Sequence, residues 1–176
     1  MLKGKKTLLT AVSRDSLKQF MDWRNQPELR KYFREHKELN EDMQNSWYEN
    51  RVLKDPNQVN FEIRTKKDNN LIGHCGLYYI SWIHRHAEFG IYVGDEKYRN
   101  GGYGSDALRT LIKYGFEDLN LNKIWCEVYS NNAALSVYER LGFVMEGVQR
   151  QHYFNEGKYW DSKILSMLKE EWTTNE

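Results

Sequence analysis

An α/β fold, one mixed sheet flanked by helices, is what this sequence predicts, and three observations carry the prediction. From Ala87 to Val93, apolar residues alternate with Glu88, Gly90 and Tyr92, the period of a half-buried strand. The chain then turns through Arg99-Asn100-Gly101-Gly102-Tyr103-Gly104 into a helix pattern carrying Ala107, Leu108, Leu111, Ile112, Phe116 and Leu119. Strand-like runs precede this unit, and a second strand–helix unit and a closing hairpin follow it. Strands, then two βα crossovers, then a hairpin make a mixed α/β sheet.

Taken in order, Thr7–Val12 reads as the first strand. Ser13 as a cap, with Asp15, favours the start of a helix through Leu17, Phe20, Met21 and Trp23, which Asn25-Gln26-Pro27 stops. Leu29–Phe33 forms a short helix or turn, and Glu41–Leu53 a helix with Met43, Trp47 and Val52 inward. Val59–Thr65 and Leu71–Ile80 pair as antiparallel strands across the polar loop at 66–70, and Ser81–Arg85 turns into the strand at Ala87. After the long helix, Lys123–Tyr129 alternates as a strand. Asn131 or Asn132 then caps a helix through Ala134, Val137 and Leu141, closed by Gly142 as a left-handed C-cap. Phe143–Phe154 and Lys158–Leu168 make the last hairpin, turned by Asn155-Glu156-Gly157.

Length and composition narrow the function classes. Residues 1–176 suffice for one domain with a sizeable core and are short for two. A formal charge of +1 gives no field directed at nucleic acid or an anionic membrane. No apolar run approaches the roughly 20 residues of a membrane span, and the basic start lacks the apolar stretch of a secretory signal. Cys75 and Cys126 fall in strand-like segments, which suits buried free thiols in a reducing cytosol and requires no pairing between them. No residue cluster has zinc-ligand spacing, so no metal is expected.

A strand, a glycine-rich turn and a helix N-terminus form a natural phosphate site. Glycines admit close approach, and the first helical N–H groups lack intrahelical partners. A nucleotide-hydrolase loop would need a Lys-Ser/Thr pair that is absent. A dinucleotide fingerprint fits Gly102-x-Gly104-x-x-Ala107. Its acidic residue would have to be Glu127, inside a strand, and too few βα units follow. A plain surface turn is the bland alternative. The remaining reading takes Arg99-x-x-Gly102-x-Gly104, which resembles the pyrophosphate signature (Arg or Gln, two residues, Gly, one residue, Gly or Ala) of the GNAT superfamily of acyl-CoA-dependent N-acetyltransferases. A second stretch, Asn131-x-x-Ala134-x-x-x-Tyr138-x-x-x-Gly142-Phe143, is similar to the segment in which that superfamily presents an Asn to the cofactor and a Tyr to the leaving thiol.

The resemblance implies a single-domain GNAT fold in which two neighbouring parallel strands splay and admit the pantetheine arm. It implies acetyl-CoA as co-substrate, held by the backbone of Ile91, Tyr92 and Val93, by the loop Arg99, Asn100, Gly101, Gly102, Tyr103, Gly104 and Ser105, and by Asn131. Arg99 could add charge, although the family pattern tolerates Gln there. An amine is mostly ammonium at neutral pH and must lose a proton before attack, and the departing thiolate must gain one. Tyr138 is the expected acid. Glu88 is the expected base, directly or through water, with a strand carboxylate paired to Arg85 or a lysine as the structural alternative. His84 and His86 stand behind it.

The expected acceptor is a primary amine: a polyamine, a protein N-terminus or an amino sugar. His84–Phe89 and Gly147–Trp160 look like the spermidine and ribosomal-protein N-terminal acetyltransferases, whereas Trp23-Arg24-Asn25 resembles amino-sugar-nucleotide acetyltransferases. Tyr32, Phe33, Glu35, Glu38, Glu41, Asp42 and Trp47 offer either carboxylates and aromatic faces to a cation or an ordinary solvated helix pair. A non-catalytic acyl-CoA sensor is the rival reading, and an intact Glu88 and Tyr138 speak against it. The final hairpin leaves a homodimer open.

Overall fold

Period-two alternation gives the strands two unlike faces, and the sheet they build is what positions the site. The computed structural model describes residues 1–172. Eight strands, β1 (Leu2–Lys3), β2 (Thr7–Ala11), β3 (Val59–Thr65), β4 (Leu71–Ser81), β5 (His86–Val93), β6 (Lys123–Tyr129), β7 (Val144–Asn155) and β8 (Lys158–Leu168), lie in the order β1-β2-β3-β4-β5-β6-β8-β7. Every neighbouring pair is antiparallel except β5 and β6. The helices are α1 (Leu17–Asn25), α2 (Pro27–Arg30), α3 (Glu41–Trp47), α4 (Tyr103–Lys113) and α5 (Ala134–Arg140).

One face is apolar. Leu9, Ile63, Cys75, Leu77, Ala87, Phe89, Ile124, Cys126 and Leu165 pack there against Ala107, Leu108, Leu111 and Ile112 of α4 and against Phe116. Each such large apolar side chain contributes about 1.5–3 kcal/mol on burial. The opposite face carries Glu62, His74 and Tyr92, with Phe20, Trp23 and Trp47 packed over the two rings, and beside them Glu88 and Glu127, which face Arg34. There Phe20 and Trp47 set their rings edge-on against His74 at 5.2 and 5.5 Å. Burial, with the Arg24 charge nearby and against the pull of Glu62, lowers His74 to about 3, so it is neutral and serves packing; its Nε2 has no hydrogen-bond partner. Glu62, also buried, accepts from the Ser16 hydroxyl (2.5 Å), the Ser13 amide (2.9 Å) and Arg64 (2.6 Å).

The expected splay is present. β5 and β6 pair only at His86–Lys123, Ala87–Ile124 and Glu88–Trp125, whereas β5 runs on to Val93 and β6 to Tyr129. A gap therefore opens beyond Glu88.

Three local readings need correction, and one open alternative is resolved. Ser13 precedes a 3₁₀ turn, Arg14–Ser16, and makes no side-chain cap; its amide is committed to Glu62. In α3 and the turn after it, the most buried residues are Gln44 and Tyr48, with Trp47 and Val52 beside them and Met43 only half-buried. A widened π-type turn at Tyr48–Val52 changes the helical phase, which a 3.6-residue period does not register. Of the two asparagines offered for the start of α5, Asn132 is the one whose Oδ1 accepts an amide there, from Ala134 at 2.9 Å, although the N-cap position itself is Ala133. Leu2–Lys3, read only as part of a basic start, adds an edge strand. No helix among the described residues is long and apolar enough to cross a membrane, and no cluster among them could hold a metal ion.

Candidate active site

Where β5 and β6 part, a cleft of about 1500 Å³ opens, walled by residues from both faces of the sheet. Its floor on the apolar side runs along β5 to the glycine turn. Gly102 sits at φ +80°, a left-handed conformation that favours glycine, and directly precedes α4. The amides of residues 100–105 meet no acceptor among the described residues, and the first helical bond runs from the Asp106 amide to the Gly102 carbonyl. They form an array of free donors at a helix start, suited to an anion. Asp106 anchors this turn from behind, accepting from the amides of Lys5, Lys6 and Thr7 and from the Thr7 hydroxyl at 2.7–2.9 Å.

Arg99 lines the cleft while bracing its loop. Its amide donates to the Glu96 carbonyl, and its guanidinium donates to the carbonyls of Val93 (3.1 Å) and Gly94 (2.8 Å), tying the loop to β5. Ile91, Tyr92, Val93, Arg99, Asn100, Gly102, Gly104 and Ser105 all line the cleft. Gly101 and Tyr103 do not; the Gly101 carbonyl accepts from Lys6, whose ammonium also lies over the Tyr103 ring. Asn131 is absent from the wall as well, its buried Oδ1 unpartnered, while the neighbouring Asn132 is on it.

Tyr138 and Glu88 approach the gap from opposite faces. Tyr138 projects from α5 with its ring edge-on to Phe89 at 5.1 Å, on the apolar side. Its hydroxyl has no hydrogen-bond partner among the described residues, and burial pushes its pKa up, so it stays protonated at neutral pH. Glu88 follows the alternation onto the polar face, where its side chain is only 7% exposed. It pairs with neither Arg85, which donates to the Asn120 carbonyl, nor a lysine. Instead Arg34 donates to both Glu88 oxygens, at 2.5 and 3.2 Å, and reaches Glu127 across the gap at 2.7 Å. Burial would raise the Glu127 carboxyl, but the Ser162 hydroxyl, Arg34 and His152 outweigh it and hold the pKa below the ordinary range.

Arg34, Glu127 and Tyr78 are site residues that sequence reasoning passed over. The Tyr78 ring lies close over Gly90, where an added Cβ would stand 2.7 Å from it, so glycine at 90 is what lets that ring cover the strand. Trp47, Arg24, Tyr32, Phe33 and Glu35 lie on the cleft wall, but Glu38, Glu41 and Asp42 stand off it, and neither His84 nor His86 reaches the cleft.

Comparison with known proteins gives a consistent result. The acetyltransferase (GNAT) domain family matches residues 6–144. The spermidine N(1)-acetyltransferase of Vibrio cholerae is 38% identical over 101 residues, covering 57% of this chain and 58% of that protein. The putative ribosomal N-acetyltransferase YdaF of Bacillus subtilis is 35% identical over 106 residues, 60% of this chain and 57% of that protein. The match thus spans less than two thirds of these curated relatives. In three dimensions the spermidine N-acetyltransferase of Vibrio cholerae, solved with CoA and spermine, superposes with a TM-score of 0.87 at 29% identity, covering 94% of this chain and 97% of that one.

Proposed function

The chain belongs to the acetyltransferase (GNAT) domain family, and on that premise we propose that it transfers the acetyl group of acetyl-CoA to a primary amine by direct attack. The observation that carries this reading is a phenol and a carboxylate lining one cleft from opposite faces of a splayed strand pair. Free amides at residues 100–105 suit the diphosphate, and the unpaired edge of β5 along Ile91, Tyr92 and Val93 suits the pantetheine amides. Acetyl-CoA supplies the thioester. Glu88 takes the proton of the incoming ammonium, and Tyr138 donates one to the departing sulfur. Arg99 acts by bracing the loop, and Asn132 replaces Asn131 as the asparagine that meets the cofactor.

Likeness to the Vibrio cholerae enzyme favours a polyamine as the acceptor, ahead of a peptide N-terminus or an amino sugar. We further place the reaction in one domain over residues 1–176, in the cytosol, where the buried thiols Cys75 and Cys126 stay reduced. A homodimer would form through the free edge of β7, on which Val144, Met145 and Val148 are exposed. Thiol release from acetyl-CoA on adding a panel of polyamines, amino sugars and N-terminal peptides tests the function. Amine-dependent release is expected, and tight cofactor binding without release would leave the sensor reading instead.

A further inference from the structure

The mouth of the gap is crossed by a cation that belongs to the chain itself. Arg34 bridges Glu88 on β5 and Glu127 on β6, so one guanidinium joins the two strands that have parted. Both carboxylates are nearly buried, with side chains 7% and 11% exposed, whereas Arg34 is 49% exposed. Glu127 is supported from behind by His152, whose Nδ1 lies 3.0 Å from it. The carboxylates are therefore fixed parts of the sheet, and the cation is the movable partner.

The backbone that carries Arg34 is tethered at two points and has few hydrogen bonds of its own between them. The Tyr153 hydroxyl donates to the Lys31 carbonyl at 2.8 Å, and Asn25 clamps both the amide and the carbonyl of Leu39 at 2.8 Å. Among the described residues, no backbone–backbone hydrogen bond involves residues 34–38. Arg30 donates to the His36 carbonyl and the Lys37 amide to Glu35, while the His36 ring stacks on Tyr153 at 6.3 Å and Glu38 pairs with Arg30 at 3.8 Å. An ammonium group approaching Glu88 meets a like charge already on both carboxylate oxygens. The guanidinium has no lone pair with which to take a proton, so while it stays it can only compete with the acceptor.

We propose that Arg34 is a specificity-determining latch: a tethered stand-in for the acceptor's ammonium group that holds Glu88 and Glu127 together until a cationic acceptor displaces it. The proposal rests on the acetyl-transfer reading of this cleft. It makes entry an exchange of one cation for another, which selects acceptors able to engage both carboxylates over those offering a weak or neutral group.

Arg34→Ala tests the latch, with spermine as the probe. Calorimetric titration without acetyl-CoA reads the exchange independently of turnover. At least tenfold tighter binding than in the wild type is expected, and Glu127→Gln in the same background should remove the gain. Unchanged or weaker binding in Arg34→Ala overturns the proposal. In the wild type, amide hydrogen exchange over residues 34–38, which lack backbone–backbone hydrogen bonds, should stay fast when spermine is added. Slowed exchange would mean that the segment closes on its ligand, and it would overturn the proposal too. In the thiol-release assay the KM for spermine should fall about tenfold. A rise in KM would make Arg34 an acceptor ligand, and a tenfold loss of kcat at constant KM would make it a support for Glu88; either sinks the latch. If Arg34→Ala fails to fold, Arg34→Gln removes the charge while keeping amide donors and is judged by the same criteria. Absence of thiol release from the wild type with every amine would defeat the acetyl-transfer reading, and the titration would still decide the latch.

Discussion

Tyr138→Phe removes one oxygen atom and nothing else, and the structure allows its consequences to be separated. The ring keeps its edge-on contact with Phe89 at 5.1 Å and its tilted contact with Phe143 at 6.2 Å. The hydroxyl has no hydrogen-bond partner among the described residues, so its loss strands no buried group, and stability should change by no more than about 0.5 kcal/mol. The reaction loses its proton donor to the departing sulfur. Acid catalysis of that kind is worth about 10²-fold or more, roughly 2.7 kcal/mol on the barrier. The kcat should fall by that factor with KM nearly constant, as for an interaction made chiefly in the transition state. Burial moves the hydroxyl's pKa upward from the ordinary tyrosine value, so the ratio of wild-type to mutant kcat should stay flat from about pH 7 to 9. The assay is steady-state thiol release with the best amine of the panel, under conditions where chemistry limits the rate. A mutant retaining more than half of wild-type kcat there would remove Tyr138 from the mechanism.

Other perturbations probe the remaining parts. Gly104→Val should weaken CoA at least tenfold, about 1.4 kcal/mol. A Cβ at 104 has ordinary room, 3.5 Å from Val93, so the fold should tolerate the start of the side chain, and calorimetry on the folded mutant reads the loop itself. Glu88→Gln should lower kcat/KM by about 10²–10⁴-fold near neutral pH, the deficit shrinking at alkaline pH as free amine becomes plentiful; a wild-type rate at pH 7 would return Glu88 to a structural role. Asp106 and Glu62 both have pKa values lowered in the folded protein. Burial opposes the shift in each, but it is outweighed by the Thr7 hydroxyl and the 5–7 amides at Asp106, and by Ser16, the Ser13 amide and Arg64 at Glu62. Their contribution is present above the unfolded carboxyl values of about 4 and is lost as pH falls through the folded ones. Asp106→Ala should therefore flatten the acid limb of a stability–pH curve measured by denaturant melts, and an unaltered limb would contradict this.

Much of the fold was legible because its signals are local. Strict alternation in β5 marks Ala87 and Phe89 for one face and Glu88 for the other, and Gly102 announces the left-handed start of α4. The two crossovers and the final hairpin follow from the same kind of pattern. The site was harder where contacts are distant in sequence. Arg34 meets Glu88 from 54 positions away, on a segment with no periodicity, so nothing near either residue signals the pair. Glu127 entered only as the acidic residue that a rejected dinucleotide fingerprint would need, although the strand alternation puts it on the polar face with Glu88. Asn131 and Asn132 are adjacent, and only the backbone path decides which of them accepts an amide at the start of α5 and which reaches the cleft. Arg99 matched a motif, but its guanidinium is spent on the carbonyls of Val93 and Gly94.

Direct passage of the acetyl group through the gap is the central claim, and a labelled transfer tests it most directly. Cys126 lines the same cleft, yet burial pushes its thiol pKa up and leaves it a poor nucleophile at neutral pH. Protein mixed with acetyl-labelled acetyl-CoA and no amine should carry no covalent label after the free cofactor is removed. On adding the amine, label should appear on the amine nitrogen, one acetyl for each thiol released. Label trapped on Cys126 or any other side chain and then chased to the amine, or thiol released without acetylated amine, would contradict the account.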